Sequence, residues 1–248
     1  MNISAILITL NEEKNLARAL ESLRCCDEIV IVDSGSTDAT AEIASKHGAR
    51  VLRREFQNYA DQKNFAAQAA AHDWVLAIDA DEALSPALQE ELRELKTRPP
   101  RFDAYSFPRR ARYLGRWIKH SGWYPDRKVR LYDRRKACWM GDYVHESVKV
   151  LGTAGELRGD LLHYTCDDFS QHLQTLDRYT TLAAKEIAAS GNSAGLGSVL
   201  LAPPWTFVRS YVFQRGFLDG FHGFVIAAMA AFYVFAKHLK ARIMMSSR

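Results

Sequence analysis

The sequence predicts an α/β protein: a mixed, mostly parallel sheet between helices, with an apolar helical tail at its C-terminal end. Three observations lead there. Short, almost continuously apolar runs alternate with helical segments over residues 1–97, the pattern of parallel strands covered on both faces. Helix start and stop residues stand at the junctions of these segments. From residue 198 the composition becomes strongly apolar, with cationic flanks. The chain has 248 residues, 48% hydrophobic and 11% aromatic, which supplies a core and excludes intrinsic disorder.

NISAILIT (2–9) is rich in apolar and β-branched residues and reads as a buried strand. Asn11 is placed to cap the next helix, with Glu12 and Glu13 in its first turn and Leu16, Leu20 and Leu23 on one face. EIVIVD (28–33) is the second strand, and SGSTDAT (34–40) holds a turn and a helix cap. The helix that follows runs to about His47, with Gly48 as its C-terminal glycine. A short strand (50–53), a helix (59–71) and the very apolar strand WVLAID (74–79) come next. Ser85-Pro86 opens a helix reaching about Lys96. Pro99-Pro100 breaks the pattern, after which AYSFPR (104–109), KVRLYD (128–133) and LLHYT (161–165) predict antiparallel or mixed strands added to the sheet. A long amphipathic helix (168–190) and a joint, GNSAGLG (191–197), precede the tail. Residues 1–97 and 98–190 then form two halves of one domain, and 198–248 a separate tail.

The formal net charge of +4 conceals strong segregation. Residues 1–97 carry 10 Lys/Arg against 17 Asp/Glu, and residues 98–136 carry 13 against 3. Residues 137–198 carry 4 against 8, and residues 199–248 carry 6 against 1. The cationic block 98–136 interleaves with Tyr105, Phe107, Tyr113, Trp117, Trp123 and Tyr124, yet no nucleic-acid module is recognisable and the front block is acidic. An anionic acceptor, such as a phosphorylated sugar or a phospholipid headgroup, suits it better than nucleic acid. No charged-then-apolar leader opens the chain, so no secretory signal is expected. Cys25, Cys26, Cys138 and Cys166 lack metal spacing and read as reduced thiols of a cytoplasmic protein.

A sheet of this kind binds ligands beyond its C-terminal strand ends, where Thr9, Asn11, Asp33, Asp79 and Asp81 stand. Residues 1–97 contain only Gly35 and Gly48, with neither GxGxxG nor a P-loop, which argues against dehydrogenases and P-loop ATPases. A diphosphate then needs another source of positive charge. Asp79-Ala80-Asp81 offers a place for a hard divalent cation that bridges two phosphate oxygens, unless the pair only solvates a strand end.

LITLNEE (7–13), IVDSGSTD (31–38), QKNFA (62–66) and AIDADE (77–82), in this order and spacing, resemble the family 2 inverting glycosyltransferases of GT-A fold. The resemblance implies a nucleotide-diphospho-sugar donor and a divalent metal, Mg or Mn. It implies that Thr9, Asn11 and Glu12 line the nucleotide pocket and that Asp33 accepts from the base. Ser36 and Asp38 share that turn, Asp38 also suiting a helix cap. Lys63 faces the nucleotide unless it is a solvated helix lysine, and Asp79 and Asp81 hold the metal, with Asp81 the direct ligand. The base that deprotonates the acceptor is assigned to Glu146 in GDYVHES (141–147), with Asp142 the rival and an arginine ion pair the alternative for Glu146. His163 resembles a further metal or diphosphate ligand.

FHGFVIAAMAAFYVFA (221–236) is 16 residues, shorter than the roughly 20 a spanning helix needs. With Lys237, Lys240 and Arg242 after it, it suits a peripheral segment on an anionic leaflet. YVFQRGFLDGFHGFVIAAMAAFYVFAKHLK (211–240) resembles the C-terminal signature of lipopolysaccharide inner-core glucosyltransferases. That implies transfer of glucose from UDP-glucose to a core heptose of a lipid-linked saccharide, on the cytoplasmic face of the inner membrane. Transfer to a polyprenyl phosphate or another envelope polysaccharide, and a non-catalytic nucleotide-binding membrane adaptor, are the alternatives.

Overall fold

The computed structural model describes residues 1–141, 146–190 and 195–246. They fall into two compact units: Met1–Arg109 with Asp126–His163, and Arg110–Pro125 with Tyr164–Arg248.

In the first unit β1 (Ile3–Thr9), β2 (Glu28–Asp33), β3 (Arg50–Arg53) and β4 (Trp74–Ala77) form a parallel half-sheet in the order β3-β2-β1-β4. The crossovers are α1 (Leu16–Ser22), α2 (Thr40–Lys46) and α3 (Tyr59–Ala69). Both faces are covered, which explains why the strands read as unbroken apolar runs. Ile3, Ala5 and Leu7 of β1 and Trp74 and Leu76 of β4 pack with Leu16 and Leu20 of α1 on one face. Ile6, Val75 and Ala77 pack with Ala60, Ala66 and Ala67 of α3 on the other.

After β4 the chain forms β5 (Glu82–Leu84) and α4 (Pro86–Lys96), then β6 (Ala104–Tyr113), β7 (Arg116–Trp117) and β8 (Asp126–Asp133). β9 (Ala137–Met140), β10 (Ser147–Val150), β11 (Ala154–Glu156) and β12 (Leu161–Cys166) complete the strands. The sheet extends past β4 in the order β8-β6-β12-β5, with β8 antiparallel to β4 and β12 antiparallel to β5. The mixed, mostly parallel sheet and its helices are therefore as the sequence implies. β5 was hidden because only three residues separate the Asp-Ala-Asp turn from the Ser85-Pro86 cap. β9 and β10 form a separate antiparallel ribbon beside α3, where Asn64 bonds both N and O of Trp139.

Asn11 does not cap α1. It sits at φ 56°, a left-handed conformation that Asn tolerates, and its Oδ1 accepts from the N–H of Thr37 at 2.9 Å. The Asn11 N–H donates to Ser36 Oγ, and that of Glu12 to Thr40 Oγ1. These bonds fasten the β1–α1 loop to the β2–α2 loop, and α1 begins only at Leu16. Asp38 accepts from Thr40 and from the Glu13 N–H, so it acts in the same fastening as well as at the start of α2.

In the second unit β6 continues past Arg109 and pairs with β7 through Arg112 and Tyr113. α5 (Phe169–Ala189) is capped by Asp168. α6 (Leu196–Leu200), α7 (Ala202–Val208), a π-helical turn (Arg209–Phe213) and a 3-10 turn (Gly216–Asp219) lead into α8 (Phe221–Ser246). α8 has 26 residues, longer than the apolar run within it, and is long and apolar enough to cross a membrane. It extends because Lys237, Lys240 and Arg242 are good helix formers. Lys240 is also held by Asp177, Thr180 and Thr181 of α5. Asp219 is 3% exposed and accepts from the N–H groups of Lys119 and His120.

Candidate active site

All the site residues anticipated in the sequence and lying in the described chain belong to the first unit. Asp142 and His145 lie outside the described residues.

Asp33, at the end of β2, is 1% exposed. Its Oδ1 accepts from the hydroxyls of Thr9 and Ser36, and its Oδ2 from the N–H groups of Gly35 and Ser36. Burial alone raises a carboxyl, but these hydrogen bonds outweigh it and hold Asp33 below the ordinary carboxylate range. About four acceptor positions on a carboxylate are thus filled. A nucleobase N–H reaches Asp33 only if one of these donors yields.

Lys63 is not a solvated helix lysine. It is 4% exposed, and its Nζ lies 2.9 Å from Asp79 Oδ1, 3.3 Å from Glu146 Oε1 and 4.3 Å from the centre of the Trp139 ring. Asp79 Oδ2 is held at 2.8 Å by Arg130, which also binds Glu82 Oε1 at 3.0 Å. Burial opposes the ionised Asp79, yet the charges of Arg130 and Lys63 outweigh it and hold this carboxyl far below the ordinary range. For Arg130, burial is likewise outweighed by Asp79 and Glu82, which raise its proton affinity further. Sequence alone does not single out Arg130 or Glu82: Arg130 is one of thirteen cations in its block, and Glu82 only follows the Asp-Ala-Asp motif. Their signal was positional, since β8 neighbours β4 and brings Arg130 to the end of the Asp79 strand.

Asp81 stands apart from this network. Its Oδ2 is 3.2 Å from His163 Nε2, and the two side chains are 32% and 18% exposed. His163 lies opposite Glu82 in the β12–β5 ladder, so the short strand that follows Asp81 sets this pairing. Glu12 is close by: burial first, then the charges of Asp81, Asp38 and Asp79, push its carboxyl above the ordinary range, against the hydrogen bond from Asn15. Asp81 and His163 can supply a carboxylate and an imidazole to a divalent cation, whereas both oxygens of Asp79 already face cations. Among the described residues no cluster of three or more His, Cys, Asp or Glu side chains is close enough to hold a metal alone.

A cavity of about 410 Å³ opens beside this network, with Asp79, Glu146, Trp139 and Arg130 on one side and Arg109, Arg127 and Lys128 on another. The cationic block is largely engaged internally. Arg109 and Lys128 pair with Asp126, Arg127 with Glu156, Arg134 and Arg135 with Asp73, and Lys136 with Asp103. Its charge therefore serves mostly as scaffold, and the cations on the cavity wall (Arg109, Arg127, Lys128 and Arg130) each have a carboxylate partner.

Comparison with known proteins identifies the family. The family model described as glycosyl transferase family 2 matches residues 4–148. A lipopolysaccharide core biosynthesis glycosyltransferase, LpsC of Rhizobium meliloti, is 33% identical over 255 residues, covering 97% of this chain and 94% of its own. An uncharacterised glycosyltransferase of Rickettsia typhi is 31% identical, covering 97% of this chain and 86% of its own. The crystal structure of S. aureus TarS 1-349 covers 100% of this chain and 91% of its own, with 17% identity and a TM-score of 0.47. The four motifs meet at the C-terminal edge of a parallel half-sheet, and the family match spans that whole region. The chain belongs to glycosyl transferase family 2 and is a glycosyltransferase.

Proposed function

We propose that this glycosyltransferase inverts the anomeric carbon of a UDP-sugar, UDP-glucose, while transferring it to a heptose of the lipopolysaccharide inner core. The observation that carries the mechanism is the position of Glu146, a carboxylate 19% exposed on the wall of the 410 Å³ cavity and 3.3 Å from Lys63. There Glu146 takes the proton from the acceptor hydroxyl, which then attacks the anomeric carbon in line as the diphosphate leaves. Lys63 keeps the carboxylate oriented, and Arg109, Arg127 and Lys128 receive an anionic acceptor. Thr9, Asn11, Glu12 and Asp33 shape the nucleotide side, while Lys63 and Asp79 mark its border with the acceptor.

Asp81 and His163 would hold a divalent Mg or Mn ion, which would supply charge compensation for the leaving diphosphate. Asp79 lends its charge to Lys63 and Arg130 and bears on that ion only indirectly. The resemblance of the C-terminal signature to inner-core glucosyltransferases, and the 33% identity to LpsC over nearly its whole length, support the acceptor class.

The second unit suits a peripheral position on the cytoplasmic face of the inner membrane. Leu200, Leu201, Trp205, Phe213, Phe217 and Phe221 are exposed on it. The sole carboxylate of residues 199–248, Asp219, is buried and bonded to backbone N–H groups, leaving the outward charge cationic.

The test is the core oligosaccharide extracted from cells with and without the gene, together with in vitro transfer from UDP-glucose. A missing hexose on the inner-core heptose is expected. An intact core alongside a lost capsular or polyprenyl-linked sugar redirects the acceptor, and absence of any UDP-sugar hydrolysis favours a non-catalytic adaptor.

A further inference from the structure

The second unit contains an apolar groove of about 400 Å³ that the transfer reaction does not use, a volume within the usual range for small-molecule sites. Ile226, Met229, Ala230, Tyr233 and Val234 line it at the 3–4-residue spacing of one face of α8. Leu176 of α5 and Trp123 close it from other sides, and a smaller recess of about 200 Å³ adjoins it through Trp123, His172 and Thr175. In that recess the Tyr113 hydroxyl meets His172 Nδ1 at 2.6 Å. The groove's lining is predominantly apolar, which suits a hydrocarbon chain better than a sugar or a nucleotide.

The groove has a direction. The α8 face that lines it continues one turn beyond Tyr233 to Lys237, whose Nζ stands 5.6 Å from the centre of the Tyr233 ring. Lys240 and Arg242 follow. The carboxylates of α5 at this end are Asp177, already held by Lys240 at 2.7 Å, and Glu186, whose charge helps raise the Tyr233 hydroxyl after burial. From Ile226 to Lys237 the wall is about 16 Å long at roughly 1.5 Å per residue. An apolar slot with a cation at one end matches one hydrocarbon chain carrying an anionic head.

We propose that this groove binds a single acyl chain of an anionic membrane phospholipid, with the phosphate at Lys237. The site would fix the enzyme to one lipid rather than only spread its apolar side chains over a bilayer. The proposal goes beyond the transfer reaction, and its probe contains neither nucleotide nor sugar, so the two readings fail separately.

The probe is lysophosphatidylglycerol below its critical micelle concentration, with the full chain and no bilayer. Native mass spectrometry is expected to find one molecule per chain. A probe brominated in its chain should quench a tryptophan component that Trp123→Phe removes. Ala230→Trp and, from the α5 side, Thr175→Phe should each weaken binding at least about tenfold, a loss of ~1.4 kcal/mol, with unchanged melting and unchanged UDP-sugar hydrolysis. Lys237→Gln should weaken the anionic probe more than lysophosphatidylcholine. No binding by wild type, or equal binding by both groove-filling variants when they fold normally, overturns the proposal. So does equal binding of the two headgroups by wild type.

Discussion

At the scale of single residues, the site depends on carboxylates held by different partners for different purposes. Replacing Glu146 by Gln removes a proton acceptor while preserving shape. Transfer should fall by roughly 10²–10⁴-fold with UDP affinity unchanged in calorimetry, and loss of both would assign Glu146 a structural role. Arg130→Met leaves Glu82, whose side chain is wholly buried, without its nearest cation. Breaking such a pair costs about 3–5 kcal/mol, read as a lowered melting temperature, and pairing Arg130→Met with Glu82→Gln should recover part of it. Asp33 and Asp79 both titrate in the fold below their ordinary value of 3.8. Their stabilisation is therefore complete above pH 3.8 and drains away as pH falls below it through the folded values. Acid unfolding of Asp33→Asn should show a smaller pH dependence there than wild type. The motif residues were legible in the sequence as a set, because Thr9, Asp33, Asp79 and Asp81 are polar residues at strand ends and Lys63 stands in the helix before the Asp79 strand. Their partners were not: that Lys63 is buried between Asp79 and Glu146 depends on a strand order that no local pattern encodes.

At the scale of elements, local chemistry and tertiary pairing divide the credit. Ser85 accepts from the Leu88 N–H at 3.2 Å with Pro86 following, the arrangement its sequence announced. Ser85→Ala should cost about 1 kcal/mol in denaturant unfolding, with an unchanged m-value. The turn before β12 is tighter than its sequence suggests. A Cβ on Gly159 would stand 2.4 Å from the backbone of Leu88, so Gly159→Ala must displace α4 or β12. A loss of about 1–3 kcal/mol is expected, together with reduced activity, since β12 carries His163. The parallel half-sheet was readable because its helices and apolar strands are local signals. β5, β9 and β11 were not, because three or four residues with ordinary composition become strands only when a neighbour supplies the ladder.

At the scale of the whole molecule, the segregated charge acquires separate explanations. Much of the cationic middle block is paired, with Asp103 and Asp126 of the block itself and with Asp73 and Glu156 of other segments, pairings that block counts cannot display. The tail's cations outnumber its one buried carboxylate, although Lys240 is engaged by Asp177. Sedimentation with anionic vesicles should therefore weaken as salt rises, and Trp205→Glu with Phe213→Glu should weaken it further while UDP-sugar hydrolysis persists. Salt-independent retention would instead indicate that α8 inserts. Its length was under-read because helix formation runs on through charged residues that a hydropathy window discards.

The contact of Lys63 with both Asp79 and Glu146 has a kinetic meaning. If Glu146 is the base proposed above, one ammonium shared between it and Asp79 ties donor and acceptor binding into a sequence of events. A diphosphate arriving beside Asp79 competes for that ammonium and frees Glu146 to meet a hydroxyl. Donor should accordingly bind before acceptor, with UDP competitive against the UDP-sugar and non-competitive against the acceptor. Lys63→Met should turn this compulsory order into a random one, which initial-rate product inhibition would reveal.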